Sequence, residues 1–578
     1  MAVVLTQPAA DGRALVGTPP AAVRSRSAIG AGKPYRARRG GTGAGRAGHR
    51  SSTPSPTAGL PERFPMPAHE ITAVTLGEEP ITIEQFVAVA RYGAQVDFDA
   101  TYVDRVRKSR AMVERFLAEN RLVYGVTTGF GDNVTKVIDP ADAEQLQRNI
   151  VRSHAVSVGE PLPTEIVRAI ALMELVGLGE GYSGIRFETL GLLRRMLNAQ
   201  VTPHVPGEGS VGYLAPEAHM ALVLLGEGRA WYGDELLPGA EALTRIGEQP
   251  TRLGCKEGLS LTNGTHSVTA IAVLATYDAG LAASTADVAA SLTVQALKGT
   301  VRAYDARIQE RKRHPEQAAV AENLRRLTES SEISAEFIDH RLQDSYSLRG
   351  IPQVHGGAKR ALAQAREVIV EELHSVGDNP VIHPEGEDGM ALSGGNFDST
   401  YVGIQADTMV NAMTVLAKMS ERRTDRMVNN NFSELPAFLV RRPGLNSGYM
   451  IAQYTAAALT MELRGMAVPA TADTVTTSAN QEDTISNAYL AALKAYRAAR
   501  KLGYVVAIEV MCAVQALDLL APLLPSPATQ ALRARIRETV PTVNEDRVFH
   551  GDIEHIAELV RSGEALRVVE EVVGPLRR

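Results

Sequence analysis

Four long stretches without a proline constrain this chain more than any motif does. Residues 265–303, 401–422, 450–466 and 484–521 are rich in Ala, Leu and Val, and each runs uninterrupted. A proline inside a helix costs about 3 kcal/mol, so its absence over such lengths leaves a helix free to propagate. The run Ala491-Ala-Leu-Lys-Ala-Tyr-Arg-Ala-Ala-Arg-Lys-Leu502 has high helix propensity throughout. The Ala-rich stretch at 265–303 reads as the buried core of a bundle. Residues 83–118 read as helix, loop and helix, with apolar residues recurring at three and four. Strand signals such as Ile71-Thr-Ala-Val-Thr-Leu76 are short and scattered, and no internal repeat shows. The pattern predicts a mainly α fold, a bundle of long helices with polar loops crossing its ends.

Composition shifts near residue 65. Residues 1–64 are rich in Ala, Gly, Arg, Ser and Pro, with Asp11 and Glu62 as the only acids. Such a segment buries too little apolar surface to offset its ordering entropy, so 1–65 is expected to be a disordered basic extension. An Arg- and Ser-rich, acid-poor start also fits a transit peptide, and the plainer reading takes Met66 as the true beginning. The remainder divides, on pattern, into a loop-rich catalytic domain at 66–265 and a helical bundle at 266–578. A net charge of -6 argues against nucleic acid as a partner, since neutralising phosphates needs a basic surface. Cys255 and Cys512, the two cysteines, exclude a disulfide scaffold or a zinc ribbon. No run of about 18 uninterrupted apolar residues appears, so no membrane span and a cytoplasmic location are expected.

Polar residues that the helices do not need gather in loops, where binding groups are usually found. Val123-Tyr124-Gly-Val-Thr-Thr-Gly-Phe-Gly131 is a flexible segment able to present a phenol; it lacks the spacing of a nucleotide cradle. Asn263-Gly264 is a turn signal, and Thr265 is placed to cap the helix that follows. Gln343, Tyr346 and Arg349 recur at a spacing of three, which on a helical turn puts amide, phenol and guanidinium on one face. Arg349 there either grips a carboxylate in two places or makes an ordinary surface ion pair. Glu462, in an Ala- and Met-rich helix, is either a carboxyl in apolar company with a raised pKa or part of a solvated face. Gly394-Gly-Asn-Phe397 adds an aromatic at a tight turn.

Taken in order, these segments resemble the aromatic amino-acid ammonia-lyase and aminomutase family. The resemblance rests on Tyr124–Gly131, Asn149–His154, Gly209-Ser-Val-Gly212, Leu214-Ala-Pro216 with Ala218-His219, and Asn263-Gly-Thr265. It continues through Tyr346-Ser-Leu-Arg349, Asp378-Asn-Pro380, Gly394–Phe397, Ser420-Glu-Arg-Arg423, Leu435-Pro-Ala-Phe438 and Ser478–Asp483. One such match is weak, but this collinear set, from about residue 68 to the C-terminus, is very specific. The resemblance implies a histidine ammonia-lyase-like helical fold, a homotetramer with active sites shared between subunits, and an amino-acid substrate. No metal, nucleotide or nucleic acid is implied. It also implies a 4-methylidene-imidazol-5-one electrophile, made when an internal Ala-Ser-Gly cyclises and dehydrates, which lets an otherwise poor amine leave. By motif, Tyr124 is then the base that takes the β proton. Asn263 and Tyr346 stand beside the electrophile and the substrate amine, and Arg349 binds the carboxylate. Gln343, Phe397 and Glu462 match further pocket positions. Ser153-His154 stands where histidine lyases and tyrosine aminomutases carry Ser-His, and a polar ring end suits imidazole or phenol over phenyl. Lyases release ammonia, whereas aminomutases add it back at Cβ.

This chain departs from the family at one decisive place. Where relatives read Gly-Ser-Val-Gly, Ala-Ser-Gly-Asp, Leu-Ala-Pro, it passes from Gly212 directly to Tyr213. Two readings stand: an Ala-Ser-Gly matured into one ring, a group outside the twenty-letter alphabet, or a deletion leaving a homologue unable to build the electrophile. Ser-Gly pairs at 183–184, 393–394, 447–448 and 562–563 lie outside the electrophile loop. His266, where histidine lyases commonly have Gln, and Asp398, where they often have His, put strict histidine specificity in question.

Overall fold

The structure is a computed structural model, described here for residues 67–129, 138–139, 142–386 and 389–578. The 1–65 extension lies outside the described residues. Pro65–Arg578 forms one compact unit.

Capping chemistry sets the first helices. Thr82 and Gln85 form a reciprocal capping box that opens α1 (Ile83–Tyr92), and Gly93 closes it in the left-handed region at φ 77°. Asp99 accepts the Tyr102 N–H at 2.8 Å and starts α2 (Ala100–Ala118). β1 (Ala73–Leu76), which precedes α1, pairs in parallel with β2 (Gln95–Phe98), which lies between the two helices in the chain. Next come α3 (Ala143–His154), α4 (Thr164–Gly179) and α5 (Ala215–Leu224). The other described strands are short antiparallel pieces at Val158–Pro161 with Pro206–Glu208, Thr202–Pro203 with Arg229–Tyr232 and Glu235–Pro238, and Val381–His383 with Met390–Leu392.

Four helices answer to the four expected stretches: α6 (His266–Ala296), seven residues shorter at its end than expected, α9 (Thr400–Val428), six longer, α10 (Met450–Met466), and α11 (Ala488–Leu519); α7 (Tyr346–Arg349) is a single turn, and α8 (Ile351–Leu373) falls outside the expected stretches. Helices α6, α9 and α11 lie along one another and make the core. Mean hydropathy and length would allow α6 and α11 to cross a membrane, but most of that apolar surface is buried in the bundle. A search for uninterrupted apolar runs misses both, because scattered Thr, Ser and charged residues break the run without making the helix polar overall.

A buried ion network ties these helices in their C-terminal thirds. Arg423 of α9 meets Glu509 of α11 in two places, at 2.5 and 2.8 Å, and neither side chain is exposed. Arg423 also reaches His355, whose other nitrogen meets Asp287 of α6 at 2.8 Å; Lys359 meets the same carboxylate at 2.5 Å. Burial would push Asp287 up, yet Lys359 and His355 hold it down at about 2.

Candidate active site

The Tyr124 segment is a closed turn. Thr127 Oγ1 accepts the Val123 N–H at 2.9 Å and donates to the Arg121 carbonyl at 3.0 Å. Gly125 takes φ 65°, a value that a side chain there would resist. Tyr124 is half-buried against the core; Phe130 and Gly131 lie outside the described residues.

Gln147 of α3, which the motif reading passed over, joins this turn to the next. Its Oε1 accepts the N–H groups of Gly258 and Leu259 at 2.9 and 3.3 Å, and its Nε2 donates to the Gly125 carbonyl at 3.4 Å. The approach needs a glycine: a Cβ on Gly258 would lie 2.4 Å from the Gln147 carbonyl oxygen. A signal for it existed, since Gln147 falls on the buried stripe of α3 with Ala143, Ile150 and Val151.

Asn263 follows one short turn later and is buried. Its amide donates to Asp378 Oδ1 and the Asn379 carbonyl, both at 3.3 Å. Lys256, wholly buried, holds the other Asp378 oxygen at 2.6 Å. Burial lowers the lysine pKa, and the carboxylate opposes that shift. Thr265, expected as a cap, makes no capping bond; its hydroxyl donates to Glu372 at 2.7 Å. Asn379 Oδ1 accepts the Gly394 N–H at 2.9 Å, which anchors the Gly394–Phe397 turn.

Phe397 then meets Tyr213 edge-on, ring centres 5.5 Å apart. The buried Tyr213 phenol donates to Glu482 at 3.5 Å; burial first, then Glu482 and Asp398, push its pKa up. Ser210 Oγ accepts the Gly212 N–H and donates to the Tyr213 carbonyl. Leu214, the next residue, takes φ 79° and ψ -62°, and the Ala215 N–H bonds back to the Tyr213 carbonyl at 3.1 Å. That is a γ-turn of the rare positive-φ kind, which costs a side-chain-bearing residue about 1–3 kcal/mol.

His154, at the end of α3, completes the group. Its Nδ1 lies 2.7 Å from the Ile150 carbonyl, so the proton sits there and Nε2 offers a lone pair. Burial lowers its pKa, while the Glu482 charge works the other way. The Tyr124 turn, Asn263, Phe397, Gly212 and Tyr213 are thus linked through hydrogen bonds and one ring contact, while His154 shares α3 with Gln147 and feels the Glu482 charge.

The remaining candidates stand apart from it within one chain. With its amide oxygen turned inward, Gln343 accepts from Arg349 at 2.6 and 2.8 Å, and the guanidinium carbon lies 4.6 Å from the Tyr346 ring centre. The three side chains meet as expected, but Gln343 does so from a bend before α7 and not from a shared helical face, and Tyr346 is 77% exposed. Glu462 is not in apolar company: it lies on the exposed face of α10, ion-paired with Lys501. The helix buries Ala452, Ala456 and Leu463 along one stripe, and Glu462 falls off it.

The family described as aromatic amino acid lyase matches residues 81–538. The chain belongs to this family. It is thereby a carbon–nitrogen lyase, in a family whose members use a methylidene-imidazolone. The chain is 46% identical to the histidine ammonia-lyase of Symbiobacterium thermophilum, over 87% of this chain and 99% of that one. With the histidine ammonia-lyase of Gloeobacter violaceus it shares 44%, over 86% and 97%. Among solved structures it is similar to histidine ammonia-lyase from Trypanosoma cruzi, at TM-score 0.80 and 34% identity over 87% and 95% of the two chains. The tyrosine aminomutase of Streptomyces globisporus superposes at TM-score 0.82 with 33% identity, over 87% and 100%.

Proposed function

We propose that this lyase eliminates ammonia from L-histidine, through a methylidene-imidazolone lying between Gly212 and Tyr213. The observation that carries the substrate is His154. Its Nε2 presents an unshared lone pair, which an imidazole N–H satisfies and a bare phenyl ring leaves unpaired, at a cost of about 1–3 kcal/mol. The identity to histidine ammonia-lyases agrees with it.

The electrophile is supported by two features of the junction. Phe397 and Glu482 pack against Tyr213 beside it, and the direct Gly212–Tyr213 link is strained at Leu214. A loop longer by three residues removes the need for that turn. When present, the ring supplies an electron-poor carbon that makes the substrate amine a leaving group. The chain's own residues do the rest. Tyr124 takes the proton from Cβ, Asn263 is held by Asp378 to face the amine, and Phe397 packs the pocket wall beside Tyr213.

Gln343, Tyr346, Arg349 and Glu462 reach a site only across a subunit boundary, so the active form is a cytoplasmic homotetramer in which they serve a neighbour. Arg349 there binds the substrate carboxylate and Tyr346 lies beside the amine. Exposed Ile451, Tyr454 and Met461 on α10 and Tyr401 and Ile404 on α9 provide apolar surface for that assembly.

Purified protein incubated with L-histidine, L-tyrosine and L-phenylalanine should release the unsaturated imidazole acid fastest. Its intact mass should exceed that of the 578-residue chain by an Ala-Ser-Gly less two waters. A mass equal to the plain chain, with no product from any substrate, overturns the proposal in favour of an amino-acid-binding homologue. A β-amino acid as the main product identifies a 2,3-aminomutase instead, a reading the superposition on tyrosine aminomutase favours.

A further inference from the structure

Beneath the Asn263 turn lies a buried polar group that the roles above leave unused. Glu217, in the first turn of α5, is 1% exposed, and its Oε1 accepts the Ser267 N–H at 2.9 Å. Ser267 is the second residue of α6, whose start receives no cap from Thr265. Glu217 therefore caps α6 from another helix, satisfying an open backbone donor and placing a carboxylate at the positive helix end. Glu174 of α4 is equally buried. Glu174 Oε1, Glu217 Oε2, His266 Nδ1 and Ser267 Oγ have no hydrogen-bond partner among the described residues. The His266 ring fits only because two glycines make room. A Cβ on Gly177 or on Gly264 would come within 2.9 Å of it.

We propose that Glu217 is a positioning residue, locking the start of α5, just after Tyr213, to the start of α6, just after Asn263. The proposal rests on the lyase reading only for what those two loops do. Burial pushes both carboxyls up, and the Glu217 charge pushes Glu174 further. The bond from Ser267 favours the charge on Glu217. The groups facing them bring no positive charge at neutral pH. His266 of α6 is held neutral by burial, as is His219 on α5 itself, and Tyr489 of α11 is pushed up by burial and by Glu217.

Two variants test the lock, and a third tests the buried carboxyl of Glu174. Glu217→Ala removes the acceptor, Glu217→Gln keeps one, and Glu174→Gln mimics a protonated carboxyl. Backbone hydrogen exchange over 213–218 and 263–270 should rise about tenfold in Glu217→Ala and stay near the parent rate in Glu217→Gln. Turnover should show kcat down about tenfold in Glu217→Ala with KM nearly unchanged, restored by Glu217→Gln. Should Glu217→Ala not fold, Glu217→Asn, one methylene shorter, takes its place with the same expectation. Unaltered exchange overturns the lock whatever the activity. Protected segments in a parent protein without turnover would sink the lyase reading and leave the lock standing. Since Glu174 is raised in the folded state, the stability it contributes is lost as pH rises. Glu174→Gln should thus melt about 2 °C higher than the parent near pH 8, with the gap closing toward about pH 4. A gap independent of pH overturns the raised Glu174 carboxyl.

Discussion

His154 and His266 are both kept neutral by burial, yet they act in different ways. His154 keeps a lone pair on Nε2, which the proposed function gives to the substrate ring. Replacing it with Leu should lower kcat/KM for histidine and raise it for phenylalanine, moving their ratio by about tenfold or more in competition assays. His266 is a stability residue, its pKa lowered to about 4. Because the folded value lies below the unfolded one, its contribution is whole above about pH 6.5 and drains away as pH falls toward 4. The loss amounts to about 3 kcal/mol, and His266→Gln should flatten urea-unfolding stability over that window. The sequence shows His266 as a departure from the family but suggests that it bears on substrate choice. Its 2% exposure and its fit against Gly177 and Gly264 make it a packing matter. No linear reading reveals that Gly177, far upstream, makes the room.

At the scale of elements, the site is a set of loops held by side chains from other elements. Gln147 of α3 carries two backbone donors of the Asn263 turn and one carbonyl of the Tyr124 turn. Gln147→Leu leaves those groups buried and unpaired, so it should cost about 2–4 kcal/mol in chemical denaturation and lower kcat more than it changes KM. The helices themselves were readable, and the expected 450–466 segment forms at those bounds. Their caps were less so: Thr265 has the right residue type and position, but Glu372 takes its hydroxyl and Glu217 takes its task. A cap inferred from local sequence assumes that no distant group competes for it.

For the molecule as a whole, the bundle is fastened by buried charge as well as by apolar area. Arg423→Met strands Glu509 without its partner and should cost about 3–5 kcal/mol, seen as a lowered thermal midpoint. The motif around Arg423 therefore serves the core and stays away from the chemistry. The split between the Tyr213 group and the Arg349 group belongs to this scale too. Light scattering should give a particle four times the 61.9 kDa chain mass. Mixing Tyr124→Phe and Arg349→Ala chains after joint refolding should restore part of the activity that each lacks alone.

Helix positions, the family and the inventory of chemical groups came from the order of residues alone, because propensity and apolar period are local and a demanding reaction admits few side-chain types. Contacts between residues far apart in the chain came from the fold. These put Gln147 under two loops, Glu217 at the head of α6, Glu462 out on an open helix face, and a strained turn at Leu214. Each depends on which surfaces meet once apolar burial has packed the helices, and a one-dimensional pattern carries no record of that meeting.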